Sequence, residues 1–185
     1  MKQLIELGHI AGLRITARPS ALVTTLLIWV MLTAAGVAIF KLSAGVAIVG
    51  ALAATILHVL SELVHQLGHH LAARQTGYPM IGIRFWGPLS SSIYPQDEPA
   101  LPGRIHIQRA LGGPIMSGVV TLFAGLLYVF LSGTLTIGEA EPHLPSVIVL
   151  VSGFFFLENL LVFTLGALMP LGFTDGTTLL QWWGK

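Results

Sequence analysis

Apolar and polar positions divide the chain into four long uncharged runs joined by short polar stretches. Pro19 to Phe40 holds no charge and is long enough for a helix across a hydrocarbon core of about 30 Å, which takes about 20 residues. A second helix-compatible segment, residues 43 to 74, follows Lys41 and ends at Arg74. Its length is roughly 50 Å, more than the bilayer is thick. A third run, Gly112 to Leu131, follows an amphipathic lead-in, and a fourth, Pro145 to Met169, carries Glu158 and Asn159 near its middle. Between the second and third runs the period changes. Ile81, Ile83 and Phe85 alternate with Gly82 and Arg84, a Gly87-Pro88 turn follows, and Leu89 to Tyr94 is again extended, which predicts a β-hairpin over residues 81 to 94. Residues 8 to 20 read as a similar extended piece, able to pair with that hairpin. The expected fold class is an all-α polytopic membrane protein, with about four transmembrane helices and a small β-hairpin or sheet, forming a single domain over residues 1–185. No internal repeat or low-complexity tract interrupts it.

Composition agrees with the pattern. Of 185 residues, 54% are hydrophobic and 9% charged, where a soluble domain has about 25% charged; the mean hydropathy is +0.82. Four spans place residues 1 to 18, 72 to 111 and 170 to 185 on one side. These hold Lys2, Arg14, Arg18, Arg74, Arg84, Arg104, Arg109 and Lys185, whereas the other side keeps Lys41 and a loop with Glu139 and Glu141. The positive-inside rule then puts both termini, and the hairpin, in the cytoplasm. The first 18 residues are long and mixed for a signal-peptide n-region, and the uncharged run continues past "LTAAG", so the first helix is expected to be retained. A net charge of +1 offers no basic field, and nucleic acid is excluded as a partner. With no cysteine, thiolate ligands and a cysteine nucleophile are excluded, and any metal must be held by nitrogen and oxygen.

Chemistry concentrates in "SELVHQLGHHLAARQTG", residues 61 to 77. His58, Glu62, His65 and His69 fall at i, i+4, i+7 and i+11, one face of the second helix. Ionisable groups inside a span cost several kcal/mol unless paired, hydrated or metal-bound, so the stripe is either a functional site or a hydrogen-bonded polar seam. His70 points off the stripe and is expected at the membrane interface. Two imidazoles one turn apart suit one tetrahedral Zn²⁺. A third ligand is offered by Asp175 in "MPLGFTDG", on the same side by topology, provided its segment dips back into the protein, which Pro170 and Gly172 would permit by breaking the fourth helix. Taken alone, without the histidines, Asp175 reads first as a cap on the last short helix.

At this point the sequence resembles the site-2 protease family of intramembrane zinc metalloproteases. "HQLGHHLAA" resembles the family's HExxH helix, "GGPIMS" its central Gly-Pro block, and "NLLVFTLGALMPLGFTDG" its last block ending in Asp-Gly, in the family's order across nearly the whole chain. The resemblance implies zinc bound by His65, His69 and Asp175. It implies substrate-binding roles for Asn159 and for Gly113 and Pro114, a hairpin edge that holds a substrate strand, and cleavage of a transmembrane protein or peptide within the lipid bilayer. Where the family has asparagines, this chain has Ser117 and Ala167. The glutamate of HExxH, the general base that takes a proton from water and returns it to the leaving amine, is Gln66 here, and its loss is expected to cost roughly 10²- to 10⁴-fold in rate.

Three accounts of Gln66 remain open on the sequence: an engineered near-isostere of glutamate, a native residue in a pseudoprotease that binds a membrane partner without cutting it, or a site in which Glu62 substitutes as the carboxylate. A reading from another class gives the stripe histidines to haem iron, or to a proton relay with Glu62. Glu158, unexplained by the family pattern, is expected to be hydrogen-bonded between helices. Gly112 and Gly113 let helices approach closely, Pro114 can start the third span, and Trp182 and Trp183 suit an interfacial belt beside Lys185. With no further domain expected, the chain reads as a minimal membrane core that relies on other proteins for specificity.

Overall fold

The computed structural model describes residues 4–134 and 144–185, so Glu139 and Glu141 lie outside the described residues. Helix α1 (Pro19–Ala38) begins on a proline, whose fixed φ suits the first turn and whose missing N–H costs nothing there. Leu22, Leu26, Val30 and Met31 project outward from it. Helix α2 (Ala44–Gln75) shows the inverse of a soluble helix: Val49, Leu52, Ile56 and Leu60 are exposed, while Thr55, His58, Ser61, Glu62, His65, Gln66 and His69 are buried. Lipid rewards that partition, because ionisable groups are tolerated only where they face protein or water.

Helix α3 (Gly103–Thr134) starts at Gly103 and not at Gly112, since nothing in the amphipathic lead-in breaks it. Pro114 therefore lies inside the helix and does not start the span; its ring removes only the bond to the Ala110 carbonyl. Helix α4 (Leu144–Glu158) passes into a π-helical segment, Asn159–Gly166, where a continuous α-helix to Met169 was expected. The ladder widens at Asn159, whose Nδ2 donates to the Phe155 carbonyl, the acceptor its own N–H would take in an α-helix. A short helix α5 (Asp175–Trp182) ends the chain. Four helices, Pro19–Ala38, Ala44–Gln75, Gly103–Thr134 and Ser146–Gly166, are long and apolar enough to cross a membrane, and the chain is an integral membrane protein.

Four strands form one sheet in the order β1 (Ile5–Ile10), β2 (Leu13–Ala17), β3 (Gly82–Phe85), β4 (Ser90–Ile93). The N-terminal extended piece is a hairpin in its own right, turning at Ala11 and Gly12, both at positive φ. Its second strand pairs in parallel with β3, and β3 pairs antiparallel with β4 as the 81–94 hairpin requires. Leu13, Ile15, Met80 and Ile83 pack with Leu63 and Leu67 of α2, which fixes the sheet against that helix. Helices α2 and α3 meet at Gly68 and Gly112, where the backbone of each fills the place a Cβ of the other would need.

Candidate metal centre

His65 and His69 stand one turn apart on α2 with their Nε2 atoms 3.1 Å from each other. Asp175, the first residue of α5, brings Oδ2 within 3.3 Å of His65 Nε2 and Oδ1 within 3.4 Å of His69 Nε2. The structure places Asp175 beside the two histidines, and Thr174, not Asp175, occupies the cap position. The turn after Met169, closed by Thr174 on the Met169 carbonyl, carries it there.

Both imidazoles are oriented through their other nitrogen. His69 Nδ1 donates to the Arg109 carbonyl at 2.8 Å, a shorter contact than the 3.3 Å to the Gly113 N–H, so the proton sits on Nδ1 and the Nε2 lone pair faces Asp175. The same tautomer at His65 has Nδ1 donating to Ser117 Oγ at 2.9 Å. Two nitrogen lone pairs and a carboxylate facing one another in a buried site call for a cation. Tetrahedral zinc with bonds of about 2.0–2.1 Å sets its ligand atoms about 3.3–3.4 Å apart; here the two Nε2 atoms are 3.1 Å apart, each faces a different oxygen of Asp175, and one ligand atom from each of the three residues lies within 4.8 Å of the others, a cluster compact enough to close on one ion.

The trio opens on a cavity of about 750 Å³ walled by α2, β4, the π-helical segment and α5. Along α2, three residues fasten the β4 region: His58 Nε2 donates to the Pro88 carbonyl at 2.9 Å, Glu62 Oε1 accepts the Ser90 N–H at 2.6 Å together with the Ser90 hydroxyl, and Gln66 Oε1 accepts the Ser92 hydroxyl at 2.7 Å. Gln66 thus lines the cavity beside the metal trio with its amide oxygen already engaged. His58 Nδ1 meets Glu158 Oε1 at 2.7 Å. Pro88 only accepts, so Nε2 carries a proton.

Other residues singled out by the sequence lie near the cavity without lining it. Asn159 is fully buried and ties the π-helical segment to Ser61 of α2 at 2.9 Å. Gly113 presses on the His65 and His69 rings, leaving no space for a Cβ, with Pro114 buried next to it. His70, expected at the interface, is buried. Sequence reasoning missed Arg109, counted only as a cytoplasmic charge. It is 5% exposed, binds Glu98 through both terminal nitrogens and the Tyr78 carbonyl, and lies 4.1 Å from the Tyr94 ring centroid. The hydrogen bond from Arg109 holds Glu98 below the ordinary carboxylate range, while burial pushes Tyr94 up. Ser90 and Ser92 were also missed, since serines in a short strand carry no signature.

No family model and no curated protein matches the sequence. The fold is similar to the solved structure of a Site-2 Protease from Methanocaldococcus jannaschii, with a TM-score of 0.55, 19% sequence identity, and coverage of 97% of this chain and 70% of that one. The architecture is thus site-2 protease-like, four apolar helices with a small sheet on one side.

Proposed function

We propose that the chain is an intramembrane zinc metalloprotease homologue of the site-2 type. In this reading it keeps the metal and the polypeptide groove and, with Gln66 at the position of the general base, is severely impaired in hydrolysis. The observation that carries the reading is the convergence of His65 Nε2, His69 Nε2 and the Asp175 carboxylate in a buried cluster, with one ligand atom from each within 4.8 Å of the others, a nitrogen and oxygen donor set suited to zinc. The likeness to the Site-2 Protease fold supports it. The whole chain acts as one membrane-embedded unit with both termini in the cytoplasm, and the partner is an extended segment of a transmembrane protein.

Zinc held there supplies Lewis acidity toward water and a peptide carbonyl. The chain's own residues do the rest. Ser117 and the Arg109 carbonyl fix the ring tautomers, and Asp175 balances charge. The edge of β4 offers main-chain groups to an extended segment, which gives binding with little demand on side chains. Gln66 orients the site through Ser92 but takes no proton at neutral pH, because an amide is not a base there. A binding subunit that holds its partner without cutting it follows from the same facts.

Metal content of the detergent-purified protein tests the proposal, with a His65→Ala, His69→Ala variant as control. About one zinc per chain, lost in the control, is expected. No metal in either protein removes the reading. Gln66→Glu is then expected to raise turnover of a transmembrane peptide by roughly 10²- to 10⁴-fold.

A further inference from the structure

Among the described residues the sheet ends at β4, and one side of this strand has no neighbouring strand. Trp86 N–H bonds to the Leu89 carbonyl, and the antiparallel register pairs Phe85 with Ser90 and Ile83 with Ser92. Alternation along an antiparallel ladder then turns the N–H and C=O of Ser90 and Ser92 away from β3, toward the cavity. An extended peptide adding to β4 needs these groups. The Ser90 N–H is already taken: Glu62 Oε1 accepts it at 2.6 Å and accepts the Ser90 hydroxyl as well. A carboxylate oxygen stands where the backbone carbonyl of an added strand would stand.

The contact belongs to a matched ladder. His58, Glu62 and Gln66 advance four residues at a time on α2, about 6 Å per step, and their partners Pro88, Ser90 and Ser92 advance two residues at a time, Pro88 in the bend before β4 and the two serines about 6.6–6.8 Å apart along the strand. The two repeats keep step over three rungs. The outer rungs hold a prolyl carbonyl and a hydroxyl and leave the outward main chain of Ser92 free, whereas the middle rung occupies a main-chain donor of the edge. Glu62 is 3% exposed, and a single oxygen of it takes both the N–H and the hydroxyl of Ser90, two contacts where a peptide carbonyl of an added strand would make one.

We infer that Glu62 is a plug on the β4 edge, a specificity-determining residue that an extended polypeptide must displace from the Ser90 N–H before it docks beside the metal trio. The inference rests on the groove reading above. Segments that pair weakly with β4 are turned away because they cannot compete with the carboxylate, and a resting chain is kept from adding a strand of a neighbour at this exposed edge.

The test uses the full chain in nanodiscs and a fluorophore-labelled ten-residue peptide amide of alternating valine, alanine and threonine, read by anisotropy. Glu62→Ala is expected to bind it about tenfold or more tighter than the wild type, with Glu62→Gln, which keeps an uncharged acceptor, in between. Hydrogen exchange without peptide is expected to speed up at Ser90 in Glu62→Ala while protection across the β3–β4 pairing persists, and to slow again once the peptide binds. Equal or weaker binding by a folded Glu62→Ala overturns the plug. If that variant loses β3–β4 protection, Glu62→Gln decides, and no gain there overturns it. Peptide bound equally by all three proteins removes the plug and leaves the groove; peptide bound by none removes both. Zinc content is a separate readout that Glu62 is not expected to move.

Discussion

Replacing Gly113 by alanine places a methyl group between the imidazoles of the metal centre. The added Cβ would lie 2.5 Å from His65 Nε2 and 2.6 Å from His69 Cε1, where ordinary contact begins at 3.4 Å. The His65 ring must therefore move by 3.4 − 2.5, about 0.9 Å, or α3 must retreat from α2, which the contact at Gly68 and Gly112 does not allow without its own loss. Metal sites tolerate ligand errors of about 0.2 Å. Disturbing a ligand's supporting contacts alone costs 10- to 100-fold in affinity, so direct displacement is expected to weaken zinc by at least about 100-fold. The helix itself has no reason to suffer, since alanine is a better helix former than glycine by about 1 kcal/mol. Gly118→Ala on the same helix is the control, because its Cβ would meet only Thr164 Cγ2, at 3.7 Å. The assay is chelator competition for zinc with circular dichroism alongside. Zinc held at wild-type affinity by Gly113→Ala, or lost equally by Gly118→Ala, would refute the reasoning.

Three further outcomes are expected. Arg109→Met breaks a largely buried pair, with side chains 6% and 16% exposed, and should lower stability by about 3–5 kcal/mol in denaturant titration; Arg109→Lys should not rescue it, for want of a planar fork. Glu98 has a depressed folded pKa, so the stability it lends is complete above its unfolded value of about 4.3 and is lost as pH falls through the lower folded value. That acid loss should shrink in Arg109→Met, as followed by thermal unfolding at a series of pH values. Glu158→Leu should cost about 3–5 kcal/mol, because it breaks the buried pair with His58, and the His58→Leu, Glu158→Leu double variant should cost less than the sum of the single ones; additive losses would sink the assigned pairing.

Helical periodicity made His65 and His69 legible, and a count of spans put Asp175 on their side of the membrane. What could not be read was pairing across distance. Glu158 finds His58 one hundred positions away, and Glu62 and Gln66 find serines 28 and 26 positions away whose strand context has no composition of its own. Arg109 looked like a cytoplasmic charge because the positive-inside rule counts charges and ignores where a guanidinium folds back. Pro114 was misplaced for a related reason. A proline signals a helix start in an isolated segment, but between helices that touch at Gly112 and Gly113 the helix continues through it. The widening at Asn159 depends on a side chain bonding its own backbone, a local competition that hydropathy does not record.

Helix α3 supplies none of the three proposed ligand atoms, yet each is surveyed from it. His65 and His69 are levelled by Ser117 and Arg109, and their helix is pinned to α3 at the Gly68–Gly112 crossing. Asp175 rides on a helix whose Trp182 stacks on His106 of α3, with ring centroids 4.2 Å apart. The metal geometry is therefore referenced to a single datum. Tilting of α1 in a thicker or thinner bilayer, or flexing of the β1–β2 hairpin, leaves the ligand triangle in register, while a small rotation of α3 detunes all three corners at once.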